Sequence, residues 1–218
     1  MKKKVLVVLA GCGVRDGSEI HESVVTLLAL DRAGADVVCA APNIVSAQCV
    51  DHFRGTVNQE RRNVLAESAR IARGQIIPLA QVKLEEIDAV VIPGGLGVAT
   101  NLSNFNTAKE KATVEPTLKK LLLAAHAAGK PLGFLCLAPV LAAILFGAQG
   151  VRYTVGDDEE LAATLSHFGA EHVKCAATGA VTDEKLKIVT TPAYMLAERL
   201  SELEAGVTQL VSELLKMA

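Results

Sequence analysis

The sequence predicts an α/β fold, flavodoxin-like and doubly wound: a mostly parallel sheet with helices on both faces. Three observations predict it. Short segments that are apolar almost throughout, at residues 5–9, 36–41 and 89–92, have the character of strands buried on both sides of a parallel sheet. Segments of helical periodicity alternate with them, which is the pattern of repeated strand-helix units. The composition supplies a suitable core: of 218 residues half are hydrophobic, yet only 3% are aromatic and none is Trp, so the interior is aliphatic. That length suits a single domain spanning 1–218.

The elements follow in order. Residues 5–9 form the first strand, with Lys2, Lys3 and Lys4 solvated at its start. Gly11-Cys12-Gly13 makes a tight turn, and from Ile20 apolar residues at Val24, Leu27, Leu28 and Leu30 recur at helical spacing until Gly34 closes the helix. Residues 36–41 are the second strand, ended by Pro42. Residues 43–60 are polar and irregular; a connection of that length is expected to be an inserted loop or hairpin. A helix over 62–73, a short strand over 75–79 and the strand 89–92 come next, the last running into Pro93-Gly94-Gly95. A helix over 115–128 ends at Gly129. A strand opened by Pro131 leads to Cys136, and an Ala/Leu-rich helix over 137–146 stops at Gly147. Beyond it the pattern predicts a helix over 159–168, a strand over 186–190 and a long amphipathic helix over 195–217.

Composition excludes several classes of function. A formal net charge of -2 gives no electrostatic footprint for nucleic acid. Five Cys, an odd number without CxxC spacing, argue against a disulfide framework and against a zinc site, and for a reducing compartment; the cytoplasm is the expected location. The start, Met1-Lys2-Lys3-Lys4 followed by an apolar run and Cys12, imitates a lipoprotein export signal, but its apolar part is at the short limit and reads better as a first strand. No apolar stretch is long enough to span a membrane.

Cys136 is the residue around which the chemistry is organised. At a strand-to-helix joint a side chain stands above the sheet on a sharp turn, near the free N–H groups of the following helix, and those groups and the helix dipole favour a thiolate. A buried cysteine acting as a small hydrophobe is the plainer alternative. In open α/β sheets the ligand site lies beyond the carboxyl ends of the strands, where strand order reverses. Three segments end there: the one bearing Glu19, His21 and Glu22, the Pro93-Gly94-Gly95 turn, and Cys136. The N–H of Gly95 and that of Leu137 would make a two-donor oxyanion hole, with Gly94 counted beside them as an oxyanion or substrate-binding residue. Glu22 would raise the thiol's pKa if ionised, or donate to a thiolate and shuttle protons if protonated.

Several segments resemble the class I glutamine amidotransferase-like superfamily, which includes the PfpI proteases and the Parkinsonism-associated deglycase. They are Gly17-Ser18-Glu19-Ile20-His21-Glu22, Ile92-Pro93-Gly94-Gly95 and Cys136-Leu137-Ala138-Pro139. Asn101-Leu102-Ser103-Asn104-Phe105, Gly169-Ala170-Glu171-His172-Val173 and Thr190-Thr191-Pro192-Ala193-Tyr194-Met195 are similar to one branch, the ElbB family of isoprenoid-biosynthesis glyoxalases. The resemblance implies Cys136 as nucleophile, Glu22 as the carboxyl that hydrogen-bonds it, and Gly95 and Leu137 as oxyanion amides. Two departures stand out. Protease-like members place a His after the Cys, where this chain has Leu137. The third, histidine member would fall near Thr154-Val155-Gly156, where there is none. The remaining histidines, His21, His52, His126, His167 and His172, read as surface residues.

Amide hydrolysis needs a base of full strength, so the resemblance implies instead a weak glyoxalase: a 2-oxoaldehyde such as methylglyoxal, converted to a 2-hydroxy acid without metal, glutathione or other cofactor. A redox-sensing accessory protein acting through an oxidisable Cys136 is the alternative, and a glutaminase-like subunit a third. The expected partners are a small carbonyl substrate and a second copy of the chain, the long C-terminal helix being the candidate dimer contact, with neither nucleic acid nor membrane. Cys12, near the same sheet edge as Glu22, is a possible pocket residue, and no role attaches to Cys39, Cys49 or Cys175.

Overall fold

In a computed structural model describing residues 2–218, β1 (Lys4–Val8) lies inside a seven-stranded sheet. On one side it pairs with β2 (Asp36–Ala41), which pairs with β5 (Ile76–Pro78). On the other it pairs with β6 (Ala89–Ile92), followed by β7 (Leu132–Leu135) and β11 (Ile188–Thr191). All these pairs are parallel; only the edge strand β10 (Val181–Asp183) runs antiparallel, against β11. Strand order therefore reverses at β1, and the crevice beyond the carboxyl ends of β1, β6 and β7 is the switch point. Met1, part of the export-signal-like start, lies outside the described residues. No helix among those residues is long and apolar enough to cross a membrane.

Alternation along β1 divides the core. Val5, Val7 and Leu9 face a layer made by α1 (Ile20–Arg32), α2 (Val64–Ile71) and α8 (Leu200–Met217). Leu6, Val8 and Ala10 face the layer built on α5 (Pro116–Ala127) and α6 (Pro139–Phe146). Each face of a buried strand thus meets its own helices, which explains why these strands are apolar without alternation. Smaller pieces complete the chain: β3 (Cys49–Asp51) and β4 (Thr56–Asn58) form a hairpin within 43–60, α3 (Gly97–Thr100) and α4 (Phe105–Ala108) are single turns, and α7 (Glu159–Ser166) sits between β8 (Arg152–Tyr153) and β9 (Glu171–His172).

Some boundaries differ from expectation. The helix expected over 195–217 begins at Leu200, because Ala193–Met195 forms a separate turn and Arg199 is extended, with φ -121° and ψ 145°. The helix expected from residue 137 starts at Pro139, whose missing N–H suits the first turn. Leu203, Val207, Leu210 and Leu214 of α8 are fully buried among residues of this chain, so its apolar face covers its own sheet and is not free for a second copy. His126 is half-buried against the ring of Phe146, 4.7 Å between centroids, not solvated.

Candidate active site

Cys136 closes β7 with φ +56°, a left-handed conformation that a β-carbon disfavours and that surrounding structure must enforce. Its N–H donates to the carbonyl of Thr191 at the end of β11 (3.0 Å), which pins the corner to the sheet. The residue is 9% exposed. The N–H groups of Gly95 and Leu137 lie near enough to its sulfur to favour the charged form.

Glu22 reaches the corner through close approach of two loops. Gly17 packs so tightly on the turn after β6 that a Cβ on Gly95 would stand 2.4 Å from the Gly17 carbonyl oxygen, and one on Gly97 2.6 Å from Gly17 Cα. Backbone bonds fasten the contact: Glu19 N–H to Gly94 O (2.9 Å), Leu96 N–H to Val14 O (2.7 Å) and Gly97 N–H to Gly17 O (2.9 Å). Glu19 caps α1, its carboxylate accepting the N–H of Glu22 (2.7 Å), and Glu22 then points inward from the first turn. A Cβ on Gly94 would lie 2.7 Å from Glu22 Oε2 and 3.0 Å from Cys136 Sγ, so carboxyl and thiol border the same point and only glycine fits between them.

The Glu22 carboxyl is fully buried, with Oε2 accepting from the Gly94 N–H (2.8 Å) and Oε1 from the Tyr194 N–H (3.3 Å). Burial pushes its pKa up to about 7, against the hydrogen bonds it accepts. The Cys136 thiol is raised well above the ordinary cysteine value, first by burial and then by the Glu22 charge and hydrogen bond, while the two backbone N–H groups pull the other way. Burial thus works against the thiolate that the two amides favour. Gly94 takes a different part than expected, since its N–H is committed to Glu22 and holds the acid in place, leaving Gly95 and Leu137 as the donors near the sulfur.

Tyr194 and Ala193 carry functional geometry that sequence reasoning missed. Ala193 has φ +47° and presents the Tyr194 N–H to Glu22, while the Tyr194 hydroxyl meets Nδ1 of His21 at 2.9 Å. The available signal was Thr191-Pro192 leaving a strand at the carboxyl edge of the sheet. The other histidines make their contacts elsewhere: His52 with Arg15 and Val50, His167 with Ala163 and Thr164, and His172 against Tyr153. At the position where relatives would carry a third member, Thr154 and Val155 are fully buried. Cys12 does not join the site; it lines a small crevice with Cys49, Arg62 and Glu67 at the base of the β3–β4 hairpin.

A parallel sheet whose switch point carries a strained cysteine on a strand-to-helix corner, beside a buried carboxyl, places the chain in the class I glutamine amidotransferase-like fold. Residues 3–198 match the DJ-1/PfpI family, and the chain belongs to that family. It is 41% identical to the ES1 protein homolog, mitochondrial, of Rattus norvegicus over 99% of this chain and 84% of the relative. It is 40% identical to the human glutamine amidotransferase-like class 1 domain-containing protein 3, mitochondrial, covering 98% of this chain and 83% of that one. Among solved structures, an isoprenoid biosynthesis protein with amidotransferase-like domain from Ehrlichia chaffeensis superposes with TM-score 0.93 at 36% identity, covering 99% of both chains. The cytoplasmic expectation is overturned by these relatives, which are named as mitochondrial in rat, human and zebrafish. Unpaired cysteines report a reducing environment and do not distinguish one such compartment from another.

Proposed function

We propose that this chain is a glyoxalase of the ElbB kind, converting a 2-oxoaldehyde and water to a 2-hydroxy acid. The observation that carries the reading is the buried Glu22 carboxyl, with a pKa near 7, bordering the Cys136 sulfur opposite two backbone donors. Likeness to an isoprenoid biosynthesis protein supports the same branch of the family.

The thiol is protonated at rest, so attack is coupled to proton transfer. As Cys136 Sγ bonds to the aldehyde carbon, its proton passes to the Glu22 carboxylate and the oxyanion is held by the N–H groups of Gly95 and Leu137, giving a hemithioacetal. Glu22 passes that proton to the oxyanion and, ionised again, removes the proton from the former aldehyde carbon and returns it to the neighbouring one through an enediol. The product is the thioester of a 2-hydroxy acid. Water cleaves it and regenerates the thiol. Cys136 provides the sulfur that glutathione would otherwise bring, and a carboxyl titrating near neutrality suits a group that both takes and gives a proton. With no histidine beside the thiol, turnover is expected to be slow.

Lactate formation from methylglyoxal is the test. The native protein is expected to form it, and Cys136→Ser to lose about 100-fold or more in rate, as loss of a nucleophile does. Equal rates would remove Cys136 from the mechanism. Burial of Cys136, 9% exposed, limits access of a peroxide and so works against the redox-sensing alternative.

A homodimer is proposed through α1. Ile20, Val24 and Leu28 are 42%, 49% and 40% exposed and recur every fourth residue, an apolar stripe on the solvent side of the helix. Sedimentation equilibrium is expected to give a dimer for the native chain and a monomer for Val24→Glu; a dimer in both would assign the contact elsewhere.

A further inference from the structure

Beside the Cys136 corner lies a groove of about 430 Å³ that a three-carbon substrate does not fill. Its walls come from the segments that build the site. Leu96 follows the oxyanion donor Gly95, Leu137 is itself the other donor, and Met195 follows Tyr194, whose N–H holds Glu22. Ala99, Phe105 and Leu161 add to its apolar lining. Lys109, Asp158 and Glu160 also line it, so the groove has no field of single sign to draw a charged tail. The volume falls in the range of about 300–1,000 Å³ typical of sites that enclose ligands much larger than methylglyoxal.

Leu137, whose N–H lies beside the sulfur, also lines the groove. A carbonyl compound joined to Cys136 therefore has an apolar wall within one residue of each group that holds its reacting end. We propose that the groove is a subsite for the arm of the substrate, and that the preferred substrates are 2-oxoaldehydes carrying an uncharged apolar chain of several carbons. The proposal rests on the glyoxalase reading and names the substrate class for the same site. The reaction is unchanged: one water is consumed, C1 is oxidised to the carboxylic acid, and the ketone carbon is reduced to the alcohol.

The experiment compares kcat/KM for 2-oxooctanal and methylglyoxal. The native protein is expected to favour 2-oxooctanal by at least about 10-fold, the scale of discrimination a hydrophobic pocket gives for added methylene groups. Leu161→Asp, which puts a charge on the groove wall, is expected to reduce that ratio about 10-fold or more; Thr164→Glu, on the same helix and wall, serves if the first variant does not fold. Equal kcat/KM for the two aldehydes, or a ratio that neither variant moves, overturns the proposal. A second arm does not depend on turnover: protection of Cys136 from iodoacetamide by 2-hydroxyoctanoate and by lactate. If no 2-oxoaldehyde is converted, the glyoxalase reading fails by itself. The subsite then stands if 2-hydroxyoctanoate protects at a concentration about 10-fold or more below lactate, and falls if the two are equal.

Discussion

Cys136 concentrates three unfavourable features in one residue: a left-handed backbone, burial, and a carboxyl against its sulfur. Such strain persists only where neighbouring contacts impose it, and here the bond from Cys136 N–H to Thr191 and the Gly94 passage to Glu22 do so. The raised thiol pKa has a definite consequence. Alkylation of Cys136 is expected to rise with pH through a midpoint above the ordinary cysteine value of 9.0, and Glu22→Gln is expected to move that midpoint down, because the charge that raises it is gone. A midpoint that moves up in Glu22→Gln would mean that Glu22 donates to a thiolate instead. The rate of iodoacetamide labelling against pH decides between them.

At the scale of elements, the inserted β3–β4 hairpin is tied to the loop that delivers Glu22. Buried Asp16 accepts the Val50 N–H (2.7 Å), and Asn101 donates to the carbonyls of Ala10 (2.9 Å) and Asp16 (3.0 Å) while accepting the Ala47 N–H (2.8 Å). One side chain therefore joins the end of β1, the glycine-rich loop and the insert. Asn101→Ala leaves buried backbone groups without partners, and is expected to cost about 2–4 kcal/mol in urea unfolding. Hydrogen exchange over residues 43–60 is expected to quicken in the same variant; unchanged exchange would show that the insert holds its place without Asn101.

For the molecule as a whole, Glu22 couples stability to pH. Its folded pKa of about 7 lies above the ordinary value of 4.5, so the folded state holds a proton that the unfolded state releases. The contribution is fully present below about pH 4.5 and is lost as pH rises through 7. Across that window it amounts to about 3 kcal/mol. Chemical denaturation of native protein and Glu22→Gln at pH 5 and pH 8 measures it: the stability difference between the two proteins is expected to shift in favour of Glu22→Gln at the higher pH. No shift would mean that Glu22 ionises as an ordinary glutamate.

Much of this was legible in the residues. The apolar runs at β1, β2 and β6 announce buried parallel strands because nothing polar can occupy either face, and β2 and β6 begin and end where the pattern does. Pro93-Gly94-Gly95 and Cys136 mark the carboxyl edge of the sheet, since glycines after a strand and a cysteine at a strand-helix joint are local signals. Elements of two or three residues, such as β8, β9 and β10, carry too little periodicity to read. The break at 193–199 went unseen because it depends on contacts with Glu22 and the sheet, not on local propensity. By itself the sequence determined the strand-helix alternation, the cysteine corner and the residue types around it, all properties of neighbours along the chain. Only the tertiary structure decided that Gly94 serves Glu22, that burial works against the thiolate, and that an apolar groove lies beside the corner. Those depend on distances and desolvation between segments 72 to 172 residues apart, which no local pattern encodes.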